Sequence, residues 1–124
     1  MRLLLDTPVV LWWLTDDPIL SEQTRQLLDN EPDVWLSAVA IWETVTMQES
    51  GVLHGPPNLA ERVRDSPFRP LAVTADHVIV ERRLPPIHRD LFDRMMIAQA
   101  ICEGLTLVTH NTVIGRYDVG AIWV

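Results

Sequence analysis

The sequence predicts a three-layer α/β sandwich around a mainly parallel central sheet, and three observations predict it. Short apolar runs alternate with stretches of helical spacing along the 124 residues. The runs are nearly continuous in apolar character, as in strands covered on both faces. Polar residues, Asp6 and Asn111, stand just past two of these runs. In such sheets ligands sit beyond the carboxyl ends of the strands.

Each element can be justified in order. Leu3-Leu4-Leu5 is a buried strand ended by Asp6. Pro8 suits a first helical turn, where a missing N–H costs nothing, and Val9 to Leu14 continue that helix. Ser21 is an N-cap for a helix over 22–29, with Leu27 and Leu28 turned inward. Val34-Trp35-Leu36 is a second strand and Ser37 caps the next helix. In that helix Ala38, Ile41, Trp42 and Val45 make one apolar face, Glu43 lies at its edge, and Gly51 ends it. Residues 59–65 form a short helix, and Leu71-Ala72-Val73 is a third strand. Thr74 caps a helix to Arg83, and a rigid Leu84-Pro85-Pro86-Ile87-His88 connection follows. Asp90 caps a long helix to Glu103 that Gly104 closes. Thr106 to Thr109 is a fourth strand, and a short helix leads to a last strand over 121–124. No repeat or linker divides the chain, so 1–124 is expected to form one domain.

Composition narrows the chemistry. Ten basic residues face 17 acidic ones, for a net charge of −7. Every basic residue is arginine, so Schiff-base chemistry, a phosphate-loop lysine and a lysine general base are all excluded. A basic protein that coats nucleic acid is excluded too, whereas a nuclease with a carboxylate metal site is not. The single cysteine, Cys102, permits neither an intrachain disulfide nor a thiolate zinc site. The apolar start is broken at Asp6, and no run approaches a membrane span, so a cytoplasmic protein is expected. The five tryptophans are expected mostly in the core. Trp12 and Trp13 are consecutive and cannot face one way, which places one of them at an interface.

The fold gathers several acids. Asp6 ends the first strand, Glu43 follows the second, Asp90 and Asp93 open the long helix, and Asn111 follows the fourth strand. Asp90 and Asp93 are three apart and share a helical face. Gathered carboxylates repel, and a bound Mg²⁺ or Mn²⁺ offsets that repulsion. Such a site supports phosphodiester hydrolysis. Taken singly, Asp6 reads better as a turn residue, Glu43 as a solvated side chain and Asp90 and Asp93 as caps or dipole partners than as ligands; only their joint placement points to a metal site.

The stretches Leu4-Leu5-Asp6-Thr7, Ser37 to Glu43, His88-Arg89-Asp90-Leu91-Phe92-Asp93-Arg94, Ile97-Ala98-Gln99-Ala100 and Leu107 to Asn111 resemble PIN-domain proteins. Their order and spacing are similar to the VapC toxins of bacterial toxin–antitoxin pairs, over nearly the whole chain. The resemblance implies a metal-dependent endoribonuclease that works as a homodimer and is inhibited by a cognate antitoxin. It places the catalytic acids at Asp6, Glu43 and Asp93. Asp6 and Asp93 would be the direct metal ligands, with Glu43 binding a second metal or orienting water. Asp90 is a further acid, and Asn111 stands where the family usually has Asp. Its amide oxygen is a weaker ligand than a carboxylate. Pro8 stands where this subgroup often has His.

Thr109 would hold a water or a phosphate oxygen. Arg89 and Arg94 either pair with the neighbouring acids or bind RNA phosphate. His88 and His110 flank the acids, where imidazoles contact RNA, shuttle protons or simply lie solvated. A signalling receiver domain and a haloacid-dehalogenase phosphatase both need a lysine this chain lacks. A PIN fold with a weakened site, binding RNA or protein without cutting, stays open through Asn111.

Overall fold

Three consecutive leucines, Leu3–Leu5 (β1), are fully buried, so neither face of this strand meets solvent. That burial requires helices on both sides, and the computed structural model, which describes all 124 residues, supplies them. Thr7–Leu14 (α1), Glu22–Asn30 (α2), Val34–Ser37 (β2), Ala38–Glu49 (α3) and Leu59–Arg64 (α4) follow in turn. Then come Arg69–Leu71 (β3), Ala75–Arg83 (α5), Leu91–Glu103 (α6) and Thr106–Thr109 (β4). A 3₁₀ turn at Thr112–Arg116 leads to Ala121–Trp123 (β5).

The five strands run in the order β3-β2-β1-β4-β5, and every pairing is parallel. The alternation of strand side chains divides the core. Leu3 and Leu5 join Val34, Leu36 and Val108 in a cluster under α1 and α4. Leu4 and Leu107 join Met96, Ile97 and Ala100 of α6 on the opposite face. The chain winds outward from β1 through β2 and β3, then returns to the other side of β1 with β4. That reversal leaves a crevice beyond the carboxyl ends of β1 and β4.

Most helix ends fall where capping chemistry puts them. Ser21, Ser37, Thr74 and Asp90 each accept a backbone N–H from the turn they open. Gly104 closes α6 in the left-handed conformation at φ 65°.

Three expectations are corrected. The third strand is Arg69–Leu71, two residues before the apolar run 71–73, because Pro70 is tolerated on an edge strand and Val73 is exposed. The buried side of α3 is Val39, Ala40 and Thr44, while Trp42 and Val45 are exposed. Thr44 can be buried because its hydroxyl donates to the Ala40 carbonyl four residues back, at 2.7 Å. No tryptophan is fully buried: Trp12, Trp13 and Trp35 are half-buried, and Trp42 and Trp123 are exposed. Trp42 instead meets Phe92 edge-on at 4.9 Å. No helix is long and apolar enough to cross a membrane.

Candidate metal centre

Asp6 continues the ladder past β1, its N–H donating to the Val108 carbonyl at 3.0 Å. This fixes its backbone at the crevice. Its side chain is buried and caps α1: Oδ1 accepts from the Thr7 N–H at 2.8 Å, and Oδ2 accepts from the Thr109 hydroxyl at 2.7 Å. The capping geometry therefore pins the carboxylate in one orientation. Glu43 comes from the second turn of α3, and Asp93 from the first turn of α6. One carboxylate oxygen from each of Asp6, Glu43 and Asp93 lies within 4.8 Å of the others. One strand end and two helices thus converge on one point, although the residues lie up to 87 positions apart in sequence.

Each of the trio is held differently. Asp93 Oδ2 accepts from His88 Nε2 at 2.7 Å and from the Asn111 side-chain amide at 3.2 Å. Glu43 Oε1 is buried with no hydrogen-bond partner. An orphaned carboxylate oxygen among two other carboxylates is costly unless something cationic meets it. The donors are all hard oxygens, the set that Mg²⁺ and Mn²⁺ prefer. The residues present therefore fit a divalent metal.

Residues 3–120 match the PIN domain family. The chain belongs to that family. Solved structures share the fold. A DNA-bound VapBC from Salmonella typhimurium is similar at TM-score 0.76 and 18% identity, over 98% of this chain and 97% of that one. VapBC2 from Rickettsia felis, bound to a promoter DNA fragment, is similar at TM-score 0.75 and 17% identity, over 98% of both chains. FitAcB from Neisseria gonorrhoeae is similar at TM-score 0.68 and 22% identity, over 98% of this chain and 96% of that one. A search of curated proteins by sequence returns no match.

The electrostatics of this PIN domain follow from the geometry. Burial pushes the Asp6 carboxyl up to about 6, and Asp93 adds to the rise while the Thr109 and Thr7 hydrogen bonds oppose it. Burial also pushes Glu43 up to about 7, with Asp93, Asp90 and Asp6 adding to it. The Thr7 hydroxyl opposes that rise by proximity, but neither it nor Glu43 Oε1 closes a hydrogen bond. Asp93 is raised by burial as well, against the pull of His88. All three carboxyls hold protons more tightly than free ones, the signature of charges waiting for a counter-charge.

The PIN domain does not bring every expected residue to the trio. Asp90 stands outside it, because its Oδ1 caps α6 by accepting from the Asp93 N–H at 3.0 Å. Its charge still adds to the field on all three acids. Asn111 turns its oxygen away: Oδ1 accepts from the Val113 N–H at 3.1 Å, which leaves the amide N–H₂ facing Asp93. It presents a donor to the site where a metal ligand was expected. Thr109 is fully buried, donates to Asp6 and accepts from the Asn111 N–H at 3.0 Å, so its hydroxyl is closed to RNA.

Arg94 is likewise committed inside the fold. Its guanidinium donates to Glu81 Oε1 at 2.9 Å, to the Glu81 and Pro85 carbonyls at 3.0 and 2.9 Å, and to the Tyr117 hydroxyl at 3.3 Å. This staples the rigid Pro85-Pro86 connection to α6 and leaves no fork for a phosphate. Arg89 is exposed and remains available.

Sequence reasoning weighed His88 but missed its bond to Asp93. It also missed Thr7, Pro8 and Trp12 as neighbours of the acids. The signal for Trp12 was its i+4 spacing from Pro8 on a helix that begins at Asp6.

Proposed function

We propose that residues 1–124 form a single PIN unit that is a metal-dependent endoribonuclease, the toxin half of a toxin–antitoxin pair. The observation that supports this best is the trio of Asp6, Glu43 and Asp93, with Glu43 Oε1 buried and unpartnered at the strand-order reversal. Asp6 and Asp93 would hold Mg²⁺ or Mn²⁺. Bound there, the ion supplies Lewis-acid polarisation of a phosphoryl oxygen and acidifies an attacking water. Glu43, with its free Oε1, would accept a hydrogen bond from an attacking water and orient it. His88 and Asn111 keep Asp93 from rotating, each holding Oδ2. Thr7 and Thr109 do the same for Asp6.

The partners follow from charge. The pocket carries three carboxylates and no arginine among the residues that line it. A cationic side chain of an antitoxin would neutralise it and displace the metal. Arg89 is the arginine of the acidic block left free to meet RNA phosphate. We place the protein in the cytoplasm as a homodimer with its antitoxin.

The test is cleavage of RNA by the antitoxin-free protein with Mg²⁺ or Mn²⁺, beside Asp6→Asn and Asp93→Asn. Outer-sphere partners of metals are worth about 10–100-fold, so loss of a direct ligand should cost at least the upper end. Variants that cut as fast as the wild type would remove the site assignment. A wild type that binds RNA with either metal but never cuts it would favour a binding module.

A further inference from the structure

We propose that Trp12 and His110 form a stacking corner for an unpaired base next to the scissile phosphate. This inference rests on the ribonuclease reading above and assigns that site a base-binding wall.

The cavity over the acids has a volume of about 250 Å³. It is lined by Asp6, Glu43, Asp93 and Asn111 together with Pro8, Trp12 and His110. With no arginine in the lining, a bound metal is the strongest attraction for phosphate inside the cavity. One ion holds a phosphoryl group but does not fix the nucleotide attached to it. Proteins that bind single strands hold successive bases by stacking them on aromatic side chains.

Trp12 meets that need. Pro8 and Trp12 lie four apart on α1 and so share a face, the face that overlooks Asp6. Trp12 is half-buried, and its indole N–H has no partner in the chain, whereas the Trp13 N–H is bonded to Asp29 at 2.9 Å. The exposed His110 ring stands 5.4 Å from the Trp12 ring at an interplanar angle of 86°. A base lying flat on one ring meets the other edge-on, and both contacts are favourable for aromatics. The corner is preorganised, because His110 Nδ1 is bonded to the Val124 carbonyl and Trp12 packs against the core beneath it.

Trp12 also lines a second, more apolar cavity of about 340 Å³ with Leu11, Met47, Leu53 and Leu59. The indole N–H, and a metal held by the acids, favour a nucleotide at the corner itself. A protein segment lying across Trp12 is the competing outcome.

The experiment measures kcat and KM on a single-stranded oligoribonucleotide that the wild type cuts, together with metal-free affinity by fluorescence anisotropy. Trp12→Leu should raise KM and weaken binding by about 5–150-fold, the range for losing one base-stacking aromatic. Trp12→Phe should restore most of the loss, which a merely structural role of the larger indole would not predict. Replacing the nucleotide beside the cleaved bond with an abasic one should weaken binding to the wild type and leave Trp12→Leu unchanged.

An unchanged KM in Trp12→Leu, with Asp93→Asn inactive, would overturn the corner and leave the ribonuclease reading intact. Unchanged RNA affinity with loss of antitoxin binding would assign Trp12 to the protein partner and overturn the corner too. If the wild type binds the oligonucleotide without cutting it, the ribonuclease reading fails and the affinity comparison still decides the corner. A wild type that neither binds nor cuts overturns both.

Discussion

Two polar clusters are buried against the sheet of this PIN domain, and they are built on opposite terms. One is the chain from Ser37 through Gln99 and His77 to Glu103. The Ser37 hydroxyl donates to Gln99 Oε1 at 2.6 Å and accepts from the Val39 N–H at 3.0 Å. Gln99 Nε2 faces the Ala72 carbonyl at 3.4 Å. His77 Nδ1 accepts from the Thr74 N–H at 3.0 Å, which puts its proton on Nε2, 2.9 Å from Glu103 Oε1. Nothing in this network lacks a partner. The other cluster is Asp6, Glu43 and Asp93, where like charges crowd together and one oxygen has no partner. Completed networks hold a fold together, whereas incomplete ones mark where something else is meant to bind.

The comparison breaks first along pH. Asp6 and Glu43 titrate near 6 and 7 in the folded protein, against ordinary values of 3.8 and 4.5. A folded-state value above the unfolded one means the native protein holds protons longer. That stability is fully present below about pH 4 and is lost as pH rises through 6 to 7. Between pH 5 and pH 8 the metal-free protein should lose about 2–3 kcal/mol, with the Glu43 share discounted for its partial exposure. Mn²⁺ binds only the native site and should restore that loss at pH 8 while doing little at pH 5, where protons compete. Thermal melts at the two pH values, with Mn²⁺ and with chelator, check this. A metal-free melting temperature that rises between pH 5 and 8 would contradict it.

Gln99→Leu attacks the completed network instead. It strands the Ser37 hydroxyl and the Ala72 carbonyl, at a cost of about 1–3 kcal/mol. For a chain this size that lowers the melting temperature by roughly 3–12 °C. The loss should be the same with and without Mn²⁺, because the network reaches the acids only through the backbones of α3 and α6. A Gln99→Leu melt that Mn²⁺ rescues fully would mean the two clusters are one unit.

The same contrast explains what could be read from sequence. Asp6 and Asp93 were legible as acids at a strand end and a helix start, which follow from apolar runs and caps, whereas Glu43, in the second turn of α3, was singled out by the resemblance to PIN-domain proteins. The all-parallel order was only partly legible, since an edge strand as short as Arg69–Leu71 leaves little periodic signal and contains a proline. Helix caps apart, side-chain commitments were not legible. Arg94 looks like a phosphate ligand until the Pro85-Pro86 turn is seen to place carbonyls around it. Gln99 sits in Ile97-Ala98-Gln99-Ala100 as an isolated polar residue, and only the register of α6 against Ser37 reveals why it is there.

Asn111 is the point where the two kinds of cluster meet, and it carries the smallest effect. Its Oδ1 belongs to a completed turn with Val113, and its N–H₂ relieves Asp93. In Asn111→Asp the bond from the Val113 N–H is kept, but the second oxygen now faces Asp93 Oδ2 across the 3.2 Å that the amide spanned. A fourth negative charge joins the cavity lining with no new donor to hold it. Screened as in bulk water by the solvent that fills the open cavity, this contact should destabilise the metal-free protein by about 1 kcal/mol. It should also tighten Mg²⁺ or Mn²⁺ binding by about tenfold, the same energy regained when the cation arrives. Calorimetric titration of the variant against the wild type measures the second effect and a metal-free melt the first. Equal or weaker metal binding in Asn111→Asp would mean that the amide is not tempering the site, and that the orientation of Asp93 matters more than the total charge around it.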